Sequence, residues 1–186
     1  VNAAIGRLGY RPNLAARSLA AGRSRTVGVL LTSQLSHGTA AIFAAIADSA
    51  RQEGYQLVVV SARDDSSVSV AMALDELAGY RVEVSIILAR RIAALDELGA
   101  KPASRPRILV AGQGGIAGVT TVAIDQTSGA VAATEHLLRT GRRRLVHVAG
   151  DLSNVDAVAR RDAFVRTCDD AGVEAVVIDS GAWSAE

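Results

Sequence analysis

From Thr26 to Ile178, short runs rich in Val, Ile and Leu alternate with stretches of helical spacing, and this rhythm constrains the fold more than any other feature of the chain. Parallel neighbouring strands need a crossover, and a helix is the usual one, so the alternation specifies an α/β fold with a parallel sheet covered by helices. The pattern predicts strands over residues 27–31, 56–60, 84–88, 107–111, 120–124, 144–149 and 175–178. It predicts helices over 39–53, ended by Gly54, and over 68–78, 92–98, 128–139 and 155–171. The strand runs are nearly continuous in apolar residues, which implies burial on both faces.

At 186 residues and 49% hydrophobic content the chain has ample material for a core, built from aliphatic residues because it holds only three Tyr, two Phe and one Trp. Its one cysteine, Cys168, can form neither an internal disulfide nor a multi-thiolate metal site, and reads as a small helix residue. No apolar run reaches membrane-spanning length and no signal-peptide core opens the chain, so the expectation is a cytoplasmic protein with no membrane partner.

Charge is unevenly distributed. Arg7, Arg11, Arg17, Arg23 and Arg25 precede Thr26 with no acidic residue among them, leaving 15 basic against 19 acidic residues for the rest of the chain. A basic end of this kind suits a polyanion, or else a solvated tail. The order of residues favours the first. Pro12 disfavours helix at Arg11, Asn13 is a good N-cap for a helix over 14–21, and Gly22 stops it. Ala15, Ala16, Leu19 and Ala20 make about two turns of small or apolar surface, too short to persist in water without a partner.

The segment GYRPNLAARSLAAGRSRTVGVLL resembles the hinge of the lactose-repressor (LacI/GalR) family of bacterial transcription regulators, including its N-x-x-A-R-x-L core at Asn13, Ala16, Arg17 and Leu19. The resemblance continues through ARQEGYQLVVVSARDD and through VAIDQTSGAVAATEHLLRTGRRRLVHVAG. The latter follows a D-x3-G-x3-A-x2-H-L-x3-G pattern at Asp125, Gly129, Ala133, His136, Leu137 and Gly141. ARRDAF and GAWSAE complete the match. It implies a periplasmic-binding-protein-like (type I) sensor of two parallel-sheet subdomains, preceded by the end of a helix-turn-helix headpiece and a hinge helix. The implied divisions are 1–12 headpiece end, 13–25 hinge and linker, 26–141 first sensor subdomain and 142–186 part of the second. Most of the headpiece and the rest of the second subdomain are expected to lie outside this stretch. By the same resemblance Tyr10, Arg11, Asn13, Ala16, Arg17 and Leu19 form the DNA-binding set, with Leu19 the wedge that opens a central base step and Asn13 and Arg17 on backbone or groove. An apolar wedge that unstacks a step and kinks the duplex is physically reasonable there.

For the effector, Arg160 aligns with the family's ligand-binding arginine, although Ala163 stands where the family has Gly; an arginine fork suits sugar hydroxyls or an anion. The other reading of Arg160 is a surface helix arginine. Trp183 matches an aromatic that stacks on the effector, and a flat apolar face suits a pyranose or a base. Asp125 reads equally as a ligand group at a strand's carboxyl end or as a cap of the next helix, with Ser128 one turn on. Ser33 and His37 follow the first strand, where LSHGTAA replaces the family's Asn-Pro-aromatic-aromatic run.

Enzyme readings find less support. Gly112, Gly114 and Ala117 satisfy a G-x-G-x-x-A spacing after a strand, but a strand rather than a helix follows, so there is no helix N-terminus to cradle a pyrophosphate. His37, His136 and His147 have no metal-ligand spacing, and neither a G-x-S-x-G elbow nor a P-loop is present. The expectation is a non-enzymatic, ligand-responsive repressor without cofactor or metal. It would act as a homodimer on operator DNA and answer to a sugar or related metabolite; the alternative is a solute-binding module of the same fold without DNA binding.

Overall fold

A computed structural model describes residues 7, 22–32, 37–100, 105–111 and 116–180. In chain order the elements are β1 (Thr26–Leu31), α1 (His37–Gln52), β2 (Gln56–Ser61), α2 (Ser67–Gly79), β3 (Val84–Leu88) and α3 (Ile92–Ala100). They continue with β4 (Arg107–Val110), β5 (Thr120–Val122), α4 (Gln126–Arg139), β6 (Leu145–Ala149), α5 (Val155–Asp170) and β7 (Ala175–Asp179). All twelve expected elements of the sensor are present. The expected hinge helix and headpiece end lie outside the described residues, apart from Arg7 and the linker from Gly22.

The strands form a five-stranded sheet of order β2-β1-β3-β4-β5 and a two-stranded sheet of β6 and β7, every pair parallel. On one face of the larger sheet, Leu30, Ile87 and Leu109 pack against Val70, Leu74 and Leu77 of α2 and Ala94 and Leu98 of α3. On the other, Val29, Leu31 and Leu88 meet Ile42, Phe43 and Ile46 of α1. Between them Gly28 lets α2 come close, since a Cβ there would lie 2.7 Å from Leu77 Cδ1. Gly22 and Gly54, the expected helix stops, have φ of +66° and +70°, a backbone conformation that costs glycine nothing.

The expected burial on both faces holds for β1 but fails farther along. Only α1 covers its side of the sheet among the described residues, so Val122 and Ile124 are 56% and 67% exposed, and Val146, Val148, Val176 and Ile178 of the smaller sheet are also exposed. β5 is also shorter than expected: its ladder with β4 ends at the Val110–Val122 pair, and residues 123–125 lead into α4.

Helix starts are set by side-chain caps. Ser66 accepts from the Ser69 amide at α2, Asp125 from the Ser128 amide at α4, and Asn154 from the Asp156 amide at α5. α4 packs against α5, and Leu138 joins the small core of Leu145, Phe164 and Cys168. By packing, therefore, α4 goes with the second sheet. Cys168 is fully buried in this core, as a small helix residue should be.

Candidate functional site

The strand order places the site. From β1 the chain moves outward to β2, then returns to β3 on β1's other side, so the connections leaving the carboxyl ends of β1 and β3 diverge. Such a switch point opens a crevice above the sheet. At its floor Thr32 is fully buried and ties the two strand ends together, its Oγ1 donating to the Leu88 carbonyl at 3.0 Å and its amide donating to the same oxygen at 3.3 Å.

Two consecutive arginines follow β3, and both reach the second unit. Arg90 donates from Nε to Asp156 Oδ2 at 2.9 Å and from Nη2 to the same oxygen. Asp156 sits in the first turn of α5, where the helix dipole favours a negative charge, and its side chain is only 5% exposed. Arg91 pairs with Asp65 at 3.1 Å and Asp151 at 2.6 Å, and donates to Ser153 Oγ. Backbone bonds run alongside: Val155 N donates to the Arg90 carbonyl at 3.0 Å, Ile92 N to the Ser153 carbonyl at 3.2 Å, and Arg91 and Asn154 form an antiparallel bridge. The joint between the units is thus a short backbone bridge held by two ionic clasps.

Two oxygens in this cluster have no partner among the described residues. Asp156 Oδ1 and Asp65 Oδ1 are both buried and accept no hydrogen bond. Desolvation pushes the Asp65 carboxyl above its ordinary value, with Arg91 opposing, whereas bonds from Ser153 hold Asp151 below the usual carboxylate range. Arg90 and Asp156 also close one end of a cavity of about 650 Å³ whose other walls include Ile46, Ile86, Val110 and Ile124. That volume is in the range of small-molecule sites.

Arg160 lies one turn beyond Asp156 on α5. Its Nη1 donates to Gln126 Oε1 at 2.7 Å, and burial pulls the guanidinium below its ordinary value while Asp156 opposes the shift. With His147 and Phe164 it borders a second cavity of about 310 Å³ between α4 and β6. His147 stacks on Phe164 at 5.3 Å between ring centres, and burial together with Arg160 and Arg161 keeps the imidazole below its usual value.

Of the residues expected from sequence, Arg160 is brought beside the ionic joint. Asp125 is a helix cap: its carboxylate accepts from the Ser128 amide at 2.8 Å and the Ser128 hydroxyl at 2.7 Å, so both residues are engaged at the start of α4. His37 opens α1. Ser33 and Trp183 lie outside the described residues, as do Tyr10, Arg11, Asn13, Ala16, Arg17, Leu19 and Gly112–Gly114; the segment after that glycine loop is the strand β5. Sequence reasoning missed Arg90, Arg91, Asp151 and Asp156. The signal was available: charged residues straight after an apolar parallel strand stand at the edge where such sheets bind ligands.

Arg23 and Arg25 belong to the basic end that precedes Thr26, and both contact the sensor. Arg23 Nη2 pairs with Glu83 Oε2 at 3.2 Å; the Arg25 amide donates to Glu83 Oε1 at 3.0 Å, and Arg25 Nη2 to the Glu53 carbonyl at 2.6 Å. Arg25 also lies over the Tyr55 ring, 5.2 Å from its centre. The linker is short enough that these side chains reach the amino ends of β2 and β3 first. The bonds from the Arg25 amide and Arg23 hold Glu83 below its ordinary value.

Among the described residues no cluster of His, Cys, Asp or Glu could hold a metal ion, and no helix is long and apolar enough to cross a membrane.

Two parallel-sheet units joined over a crevice at a topological switch point define a sensor of the periplasmic-binding-protein type. Residues 24–182 match the model for periplasmic binding proteins and the sugar binding domain of the LacI family, and the chain belongs to that family. It is 28% identical over 171 residues to the HTH-type transcriptional repressor PurR of Glaesserella parasuis serovar 5, covering 91% of this chain and 50% of that protein. It is 31% identical over 160 residues to catabolite control protein A of Staphylococcus xylosus, covering 82% and 46%. The lac repressor dimer bound to operator and the anti-inducer ONPF superposes with a TM-score of 0.84 at 25% identity, over 98% of this chain and 56% of that one. The chain spans about half the length of the curated relatives it matches.

Proposed function

We propose that this chain belongs to a ligand-responsive DNA-binding repressor, without enzymatic activity, in which a small metabolite entering the crevice controls the grip of the hinge on operator DNA. The observation that carries this is the linker: Arg23 and Arg25 couple a basic hinge motif directly to the sheet whose far end bears the crevice. In this reading Tyr10, Arg11, Asn13, Ala16, Arg17 and Leu19 contact the operator, with Leu19 as the intercalating wedge. Arg160, Ser33, His37 and Trp183 line the effector site, and Asp125 and Ser128 fix the start of α4 beside it. The assembly is a homodimer on a two-fold operator, matching protein symmetry to half-site symmetry. Relatives that are named transcriptional repressors support the DNA-binding reading over a solute carrier of the same fold.

The test is fluorescence anisotropy of the full-length protein on DNA from its own upstream region, at fixed salt because phosphate contacts dominate affinity. Selective binding that Leu19→Ala abolishes and one metabolite shifts is the expected result. Sugar binding with no sequence preference at all would overturn it in favour of the solute-binding module.

A further inference from the structure

Among the described residues Arg25 is the only one other than glycine with a positive φ, +47°. An arginine in this left-handed region persists only where its surroundings fix it, because its Cβ crowds the neighbouring backbone. Its contacts supply that. The amide donates to Glu83 Oε1 at 3.0 Å, the carbonyl accepts from the Gln56 amide at 2.8 Å, Nη2 donates to the Glu53 carbonyl at 2.6 Å, and the guanidinium lies over the Tyr55 ring. Glu83 is fixed in turn: its own amide donates to the Thr26 carbonyl at 2.9 Å, and its other oxygen, Oε2, accepts from Arg23 Nη2 at 3.2 Å. One carboxylate thus holds both linker arginines, Arg25 by its backbone and Arg23 by its side chain. The left-handed residue stands immediately before β1, so it sets the heading of residues 22–24 as they leave the strand.

Resting on the repressor reading above, we propose that Glu83 is a positioning residue for operator binding: it accepts from the Arg25 amide and so holds the left-handed turn that aims the linker, and Arg23 and Arg25 serve this turn rather than DNA phosphates. Arg25 acts through its backbone. Its guanidinium contacts keep a residue with a side chain in a conformation that glycine adopts unaided.

Two measurements on the full-length protein test this. Hydrogen exchange followed by NMR needs no DNA: the Arg25 amide is expected to exchange at least tenfold faster in Glu83→Ala than in wild type, while Glu83→Gln, which keeps an acceptor oxygen, retains most of the protection. Fluorescence anisotropy on DNA from the protein's own upstream region reads the consequence, with each variant shown folded by its thermal melt. Glu83→Ala should weaken selective binding at least fivefold, although it removes a negative charge and by electrostatics alone would strengthen binding to a polyanion. Arg25→Gly should bind within threefold of wild type with an unchanged slope of log Kd against log salt, whereas Arg25→Val, whose branched side chain resists positive φ, should lose at least tenfold. An Arg25 amide unprotected in wild type overturns the inference whether or not the variants fold. So does Glu83→Ala that binds as well as wild type, an equal loss for Arg25→Gly and Arg25→Val, or a slope that falls by about 0.9 in Arg25→Gly, the mark of a lost phosphate contact. A wild-type protein that selects no native DNA sequence while its Arg25 amide stays protected upholds the turn but overturns its part in operator binding together with the repressor reading, a result distinct from the others.

Discussion

Among the described residues Arg90 and Asp156 form the most buried ion pair between the two units, and a double-mutant cycle on them tests whether that pair sets the joint. Replacing Arg90 by Met keeps much of the stem's volume but leaves the Asp156 carboxylate, whose side chain is 5% exposed, without a counter-charge. Removing one partner of a buried pair costs roughly 3–5 kcal/mol. Water already reaches the Arg90 side, which is 29% exposed, so the lower end applies and about 3 kcal/mol is expected, on the order of a hundredfold in the folding equilibrium. Asp156→Leu leaves a cation that can turn toward solvent and should cost roughly half as much. Replacing both removes the charge and its partner together, so the double variant should fall within about 1 kcal/mol of wild type. The coupling should therefore be at least roughly 2 kcal/mol, well beyond the additivity error of separate sites. Urea titration followed by circular dichroism gives each value, and an unchanged dependence on urea shows that compactness is preserved. A cost under about 1 kcal/mol for Arg90→Met, or a double variant as unstable as the sum of the singles, would falsify the claim that a desolvated pair holds the joint.

Three further outcomes follow from the geometry. Gly28→Ala places a methyl 2.7 Å from Leu77 Cδ1 and 3.2 Å from Val82 Cγ1, so buried side chains must shift, and it should cost about 1–3 kcal/mol by chemical denaturation; a neutral result means that Leu77 or α2 yields. Asp125→Ala removes the α4 cap and should cost about 1 kcal/mol, read as lower protection of the first-turn amides in hydrogen exchange, whereas Asp125→Asn or Asp125→Ser should retain most of it. His147 is held below its ordinary value in the folded chain, so folding disfavours its protonation: its contribution is complete above the unfolded value near 6.5 and is lost as pH falls through the depressed folded one. His147→Phe should therefore flatten the loss of stability between pH 7.5 and 5; an unchanged slope assigns that loss to other groups.

The order and type of the sensor's elements were legible because each strand is a short β-branched run and the stretches between them have helical spacing, whereas of the caps only Asp125 was open to a sequence reading; those at Ser66 and Asn154 emerge from the structure. Face exposure was not. An apolar run such as Val146–Val148 reads the same whether one or both sides are covered, and only the packing of other elements decides. The candidate site was half legible. Arg160 could be placed by its helix block, but Asp125 offered two roles that only the cap geometry separates. Arg90 and Asp156 are 66 residues apart, and their meeting depends on the bridge between the segment after β3 and the start of α5, which no local pattern encodes. Arg23 and Arg25 show the reverse: charge in the sequence suits a polyanion, and the fold brings Glu83, just ahead of β3, within reach of both residues.

The linker is anchored at the amino ends of β2 and β3, while the ionic joint stands at the carboxyl end of β3. One strand, five residues and so about 17 Å long, therefore has the linker's anchor at its root and the crevice at its tip. β3 is hydrogen-bonded along its length to β1 on one side and β4 on the other, so the linker's anchor beside Glu83 and the ionic joint that follows Leu88 belong to one continuous piece of sheet.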